Sequence, residues 1–180
     1  MTTSLSSNRC IALLDSLLEL RGPQGFGRVM EKFVAHCFRR EGYWVISNAI
    51  GVPDFVAVRP TKPRGFAVEV KTATGRKLQL MDRELKAVAM SEHEPVLAVL
   101  IFPDLNPRWL CVDANSLRSG AIDIIALHRK PQVLLDFDLN TEFRAVVAEF
   151  HEAAMTSTYS LDHALQRSTI NAGATDSDKT

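Results

Sequence analysis

The sequence predicts an α/β fold in which a central sheet of about five strands is covered by helices on both faces. Two observations predict it. Residues 96–102 (VLAVLIF) are continuously apolar, as a strand buried on both faces must be. The periodic segments around them run in the order helix, helix, three strands, helix, strand, strand, which suits a single layered domain.

Each element has its own warrant. In residues 8–21, Ile11, Leu14, Leu17 and Leu18 fall at helical spacing, and Gly22-Pro23 stops that helix. A second helix spans 24–40, with Phe26, Met30, Phe33, Val34, Cys37 and Phe38 on one face and Glu41-Gly42 at its end. Residues 43–47 form a short strand, and a loop carrying Gly51 and Pro53 leads to a strand at 54–58 (DFVAV). The turn RPTKPRG at 59–65, centred near Lys62 and Pro63, returns the chain as FAVEVK at 66–71, which alternates beyond Ala67. After a loop at 72–77, residues 78–90 predict a helix with Leu78, Met81, Leu85, Val88 and Ala89 inward. Beyond the central strand come a turn at 103–107, a strand at 109–112, a further strand at 132–137 and an amphipathic helix at 141–155 through Phe143, Val146, Val147 and Phe150. The domain is expected to end near residue 155. Ser, Thr, Asp and Ala dominate 156–180, which predicts a polar tail that is disordered at its end.

Composition excludes several classes. With 46% hydrophobic and 23% charged residues in 180, the chain can bury a core without disulfides or structural metals. No apolar run approaches the roughly 20 residues that cross a bilayer, so no membrane role is expected. The opening MTTSLSSNRC lacks the pattern of a secretory signal, so a cytoplasmic location is expected. Cys10, Cys37 and Cys111 match neither a zinc knuckle nor a redox pair, and the five histidines show no paired ligand spacing. Without G-x-x-x-x-G-K-[ST], no nucleotide cofactor is expected. Asp15, Ser91 and His93 carry no signal of a hydrolytic triad. Tyr43, Trp44 and Trp109 could stack on bases, but read first as strand aromatics of the core.

The net charge is zero, yet residues 59–86 hold eight basic side chains against three acidic, while from Ala87 onward acids outnumber bases thirteen to seven. Screening confines each charge to about 10 Å, so phosphate contacts would come from this middle segment.

That segment also holds the chemistry. Glu69 and Lys71, two apart on one strand, project from the same face, while Val68 and Val70 face the other way. If 54–58 and 66–71 form a hairpin, paired residue numbers sum to about 125 and Asp54 falls opposite residue 70 or 71, within cross-strand reach of Glu69. Two carboxylates and an ammonium then converge. Crowded anions favour a divalent cation with hard oxygen ligands, Mg²⁺ or Mn²⁺. Val68 or Val70 can add a backbone carbonyl, and Glu31 can reach in from the preceding helix, where Gly27 one turn earlier permits close approach to the sheet. Lys71 is left to stabilise charge on a phosphate or to help orient and deprotonate water.

Pro53-Asp54, fourteen intervening residues and Glu69-Val70-Lys71, with Glu31 in the helix before, resemble the PD-(D/E)XK nuclease superfamily. Within it, residues 25–112 are most similar to the archaeal type of Holliday junction resolvase. The resemblance implies a restriction-endonuclease-like mixed sheet and a Mg²⁺-dependent phosphodiesterase, commonly a homodimer, acting on DNA and selective for branched DNA. It assigns catalysis to Asp54, Glu69 and Lys71, metal binding to Glu31, Asp54, Glu69 and Val70, and DNA contacts to Arg76, Lys77 and Gln79, the last in the place of a glutamine that the family often carries in the helix after the lysine. Two alternatives stay open: a restriction or defence nuclease of the same fold, and an inactive nuclease-like protein used for DNA binding or assembly.

Overall fold

The computed structural model describes residues 7–47, 53–62, 64–102 and 108–174. Helix α1 (Ser7–Arg40) is two helical arms joined at Gly22, whose φ of 65° lies in the left-handed region that side chains avoid. Pro23 opens the second arm, where its missing N–H costs nothing. The arm closes on Gly42 (φ 80°), and the Tyr43 N–H donates to the Phe38 carbonyl at 3.0 Å.

In chain order follow β1 (Trp44–Ser47), β2 (Phe55–Val58), β3 (Phe66–Ala73), β4 (Lys77–Leu80), α2 (Asp82–Ala89), β5 (Glu94–Ile101), β6 (Arg108–Asp113), β7 (Gly120–Asp123), α3 (Ile124–Leu127), α4 (Leu139–Thr156) and α5 (Thr158–Ala174). Five strands form one mixed sheet in the order β1-β2-β3-β5-β6, antiparallel throughout except for the parallel pair β3 and β5. The α/β fold with a mixed five-stranded sheet is therefore the one expected.

Alternation along the strands divides the core in two. Phe55, Ala57, Phe66, Val68, Val70, Val96, Ala98 and Leu100 join α1, α4 and α5. On the opposite face, Ala67, Ala73, Leu97, Val99 and Ile101 meet Leu85 and Val88 of α2, Leu78 and Leu80 of β4, and Ile124 and Leu127 of α3. The last six residues of β5 are buried, as its unbroken apolar run predicts. Phe26, Met30, Phe33, Val34, Cys37 and Phe38 form the predicted buried face of α1, and Phe143, Val146, Val147 and Phe150 that of α4.

Several features differ from expectation. Residues 78–80 are not helical: KLQL alternates, burying Leu78 and Leu80 and exposing Lys77 and Gln79, and pairs with β7, so α2 begins only at Asp82. Residues 132–137 make no strand beyond a single bridge between Gln132 and Val112. The polar stretch after residue 156 is helical through Ala174, because Leu161 and Leu165 reach the core and Lys32 pairs with Asp162. Trp44 is exposed rather than core, whereas Tyr43 and Trp109 are buried. Gly51, Pro63, the turn at 103–107 and the end of the tail lie outside the described residues. Among the described residues no helix is long and apolar enough to cross a membrane.

Candidate active site

The hairpin of β2 and β3 pairs Phe55 with Val68, Val56 with Ala67 and Ala57 with Phe66. The register is shifted by two from the expected one, and its extension places Asp54 beside Glu69 itself. Gly65 permits this turn: a β-carbon there would stand 2.2 Å from the Ala57 carbonyl oxygen. Only glycine fits.

Asp54 sits just before β2, and its Oδ2 accepts the Val70 N–H at 2.7 Å. β2 pairs with β3 only as far as Val68, so this carboxylate takes the place of the next strand residue. Glu69 is 3% exposed. Its Oε1 accepts from Lys71 Nζ at 2.7 Å, and its Oε2 is buried without any hydrogen-bond partner. An orphaned carboxylate oxygen is costly in a folded protein. Lys71 Nζ also stands 2.9 Å from Glu84 Oε1. Glu84 lies in the first turn of α2, where its other oxygen accepts the Met81 N–H at 3.2 Å. The ammonium is thus held between a strand carboxylate and a helix carboxylate.

Titration reflects this crowding. Burial, reinforced by the charge of Asp54, raises the Glu69 pKa to about 7. Glu31 is raised to about 7 by burial and then by Asp54, against the opposing pull of Lys71 and Arg28. Asp54 is raised by burial despite the Val70 N–H and Lys71. For Lys71, burial disfavours the charge, but Glu69 and Glu84 outweigh it and hold the pKa above the usual lysine value. The site is an anionic cluster whose one ammonium stays protonated.

Asp54, Glu69 and Lys71 therefore meet as the sequence predicts, with Val70 held between them by its N–H. Glu31 on α1 lies within electrostatic reach of Asp54 and Lys71. Its approach owes nothing to Gly27, since a β-carbon there would touch nothing within 4 Å. Arg76, Lys77 and Gln79 do not join the cluster. Arg76 Nε pairs with Asp123 at 2.9 Å, and Lys77 and Gln79 share the exposed face of β4. Gln79 thus stands on a strand and not on the helix where the resemblance put it. Glu84 was not foreseen. In a helix that begins at residue 78 it is an unremarkable mid-helix glutamate, whereas a carboxylate in the first turn after an E-x-K strand is the signal that finds it.

Among the described residues, no three His, Cys, Asp or Glu side chains are grouped so as to hold a metal ion. The oxygens offered are those of a two-carboxylate pair, Asp54 and Glu69. Mg²⁺ is commonly held by one or two carboxylates together with waters and substrate phosphate, and the orphaned Glu69 Oε2 is a donor of the right kind. The donor set fits such an ion.

No family model matches the chain, and no curated protein matches it. Among solved structures it is similar to Hjc, a Holliday junction resolvase from Archaeoglobus fulgidus, at 19% identity and a TM-score of 0.49 over 59% of this chain and 91% of that one.

Proposed function

We propose that this protein is a divalent-metal-dependent endonuclease that hydrolyses DNA phosphodiesters. The observation that carries the reading is the buried, partnerless Glu69 Oε2 beside Asp54, next to an ammonium already held in place. Asp54 and Glu69 would hold Mg²⁺, or Mn²⁺ in its stead. Val70 would assist through its carbonyl, which a strand residue turns to the same side as its N–H, and Glu31 would assist from α1. When bound, the ion supplies Lewis-acid stabilisation of the phosphate and a more acidic water.

The protein's own part is positioning. Lys71, protonated and fixed by Glu69 and Glu84, is suited to stabilise charge on the pentavalent phosphate, and less suited to take a proton from water. Glu31, outside the Asp54–Glu69 donor pair, is the carboxylate left to accept that proton. Arg76, Lys77 and Gln79 would meet the DNA outside the chemical site. The motif resemblance adds branched DNA as the preferred substrate and a homodimer as the working form. A panel of four-way junction, flap, single-stranded and linear substrates with Mg²⁺ tests this. Cleavage that survives unchanged in Asp54→Ala would remove the assignment.

One observation favours a second reading, a nuclease-like protein that binds DNA without cutting it. Lys71 already pairs with both Glu69 and Glu84 without any ion. Failure to bind Mg²⁺ or Mn²⁺, together with failure to cut any member of the panel, would select it.

A further inference from the structure

The sheet face that carries Asp54, Glu69 and Lys71 is covered over only part of its width. α2, α3 and the β4–β7 pair lie over β3, β5 and β6. Beside them, β1 and β2 present Trp44, Ile46, Val56 and Val58 on that same face. The register fixes this: Trp44 pairs with Val58, Ile46 with Val56, and Val56 with Ala67. Paired residues share a face, and Ala67 shares its own with Glu69 and Lys71.

Trp44 is 68% exposed and Ile46 62%, on the edge strand of the sheet, while Val56 and Val58 are half-buried. Neighbouring Tyr43 has the opposite fate, buried against Phe38 with its hydroxyl on Asp136 at 2.6 Å. The hairpin thus hides its phenol and displays its indole.

We propose that this shelf binds an unpaired nucleobase of the strand being cut, stacked on Trp44 with its sugar over Ile46 and Val56. The inference rests on the phosphodiesterase reading and narrows it to DNA with unpaired nucleotides beside the cleavage position. Continuity with the site supports it. Val56 is two residues from Asp54, and Trp44, opposite Val58, lies about 13 Å from Asp54 along the strand, a reach of a few nucleotides. Charge supports it as well. Exposed Arg64 precedes Gly65, which lies against Val58, the partner of Trp44. A phosphate beside a base stacked on Trp44 would therefore meet a cation, and an aromatic plane with a neighbouring cation is the combination that holds single strands. A base within a duplex keeps its faces stacked, so the indole selects unpaired ones. A second copy of the chain is a poorer fit, since these four side chains expose a few hundred Å² at most, against about 800 Å² per partner in a stable interface.

Trp44 and the buried Trp109 are the two tryptophans, so exposed indole emission belongs to Trp44. The test is to titrate oligo-thymidine into the full chain in EDTA. Quenching and lost acrylamide access are expected, with much less effect from a blunt duplex of equal length. Trp44→Ala should weaken binding about 5- to 150-fold, and Trp44→Phe should retain most of it. Equal quenching by the duplex, or unchanged affinity in Trp44→Ala, overturns the proposal. So does a dimer that Trp44→Ala dissociates while oligo-thymidine leaves the emission unchanged. Cleavage with Mg²⁺, run in parallel, separates the two readings. A Trp44→Ala protein that binds and cuts like wild type removes the shelf and leaves the nuclease, whereas a wild type that quenches but never cuts supports the shelf and removes the nuclease.

Discussion

Glu69 places a carboxylate where water cannot satisfy it and Lys71 satisfies only half of it. That imbalance governs how the protein responds to pH. Glu31 and Glu69 titrate near 7 when folded, against about 4.5 for a free glutamate. The folded state thus holds their protons more tightly than the unfolded one. The stabilisation is complete below about pH 4.5 and is lost as pH rises through about 7. Thermal melts of the metal-free protein should therefore fall from pH 5 to pH 8, and Glu69→Gln should flatten that fall while ending cleavage. Added Mg²⁺ should raise the melting temperature more at pH 8 than at pH 5.5. Glu84 acts through Lys71 and is a positioning residue. Glu84→Gln should lower kcat about 10- to 100-fold with little change in KM, in the range typical for groups that orient others, and should shift the pH profile because one anion beside the ammonium is gone. An unaltered profile would reduce Glu84 to a helix cap. Of these side chains, Asp54, Glu69 and Lys71 were legible because a two-residue spacing on an alternating strand fixes a common face. Glu84 was not, since its role depends on where α2 begins.

At the scale of elements, the site depends on one hairpin. Its register is set by Gly65, whose close contact with the Ala57 carbonyl leaves no room for a methyl group. Gly65→Ala must move one strand, so it should destabilise the protein by roughly 2–4 kcal/mol and reduce cleavage even where folded protein is recovered. Chemical denaturation beside an activity assay checks both. The strands themselves were legible from alternation, whereas the register was read two residues out because seven turn residues admit more than one pairing. β4 departs from the helical expectation for a related reason. KLQL is too short to separate a period of two from one of 3.6, and the decision came from pairing with β7, whose GAID sequence carries little strand signal of its own.

Across the whole molecule, the sheet divides labour between its faces. One is sealed by α1, α4 and α5; the other carries the carboxylates at the margin of what α2 and β4 cover, with the hairpin's open shelf beside them. The fold class was readable because buried strands and amphipathic helices each leave a period in the sequence. α5 was hidden by its composition, since among its described side chains Leu161 and Leu165 are the buried ones, with Ala164 packed beside them, and Ser, Thr, Asp, Gln and Arg surround them. Leu165→Ala should cost about 2–4 kcal/mol in a melt and leave the cleavage rate of the folded protein intact, because α5 packs on α1 and α4 behind the sheet. The central claim is that Asp54 and the unsatisfied oxygen of Glu69 together hold one divalent cation. Calorimetric titration of Mn²⁺ at pH 6.5 measures it directly. One ion per chain with release of protons, abolished in both Asp54→Ala and Glu69→Gln, is the predicted result; no binding, or binding that both variants retain, would contradict it.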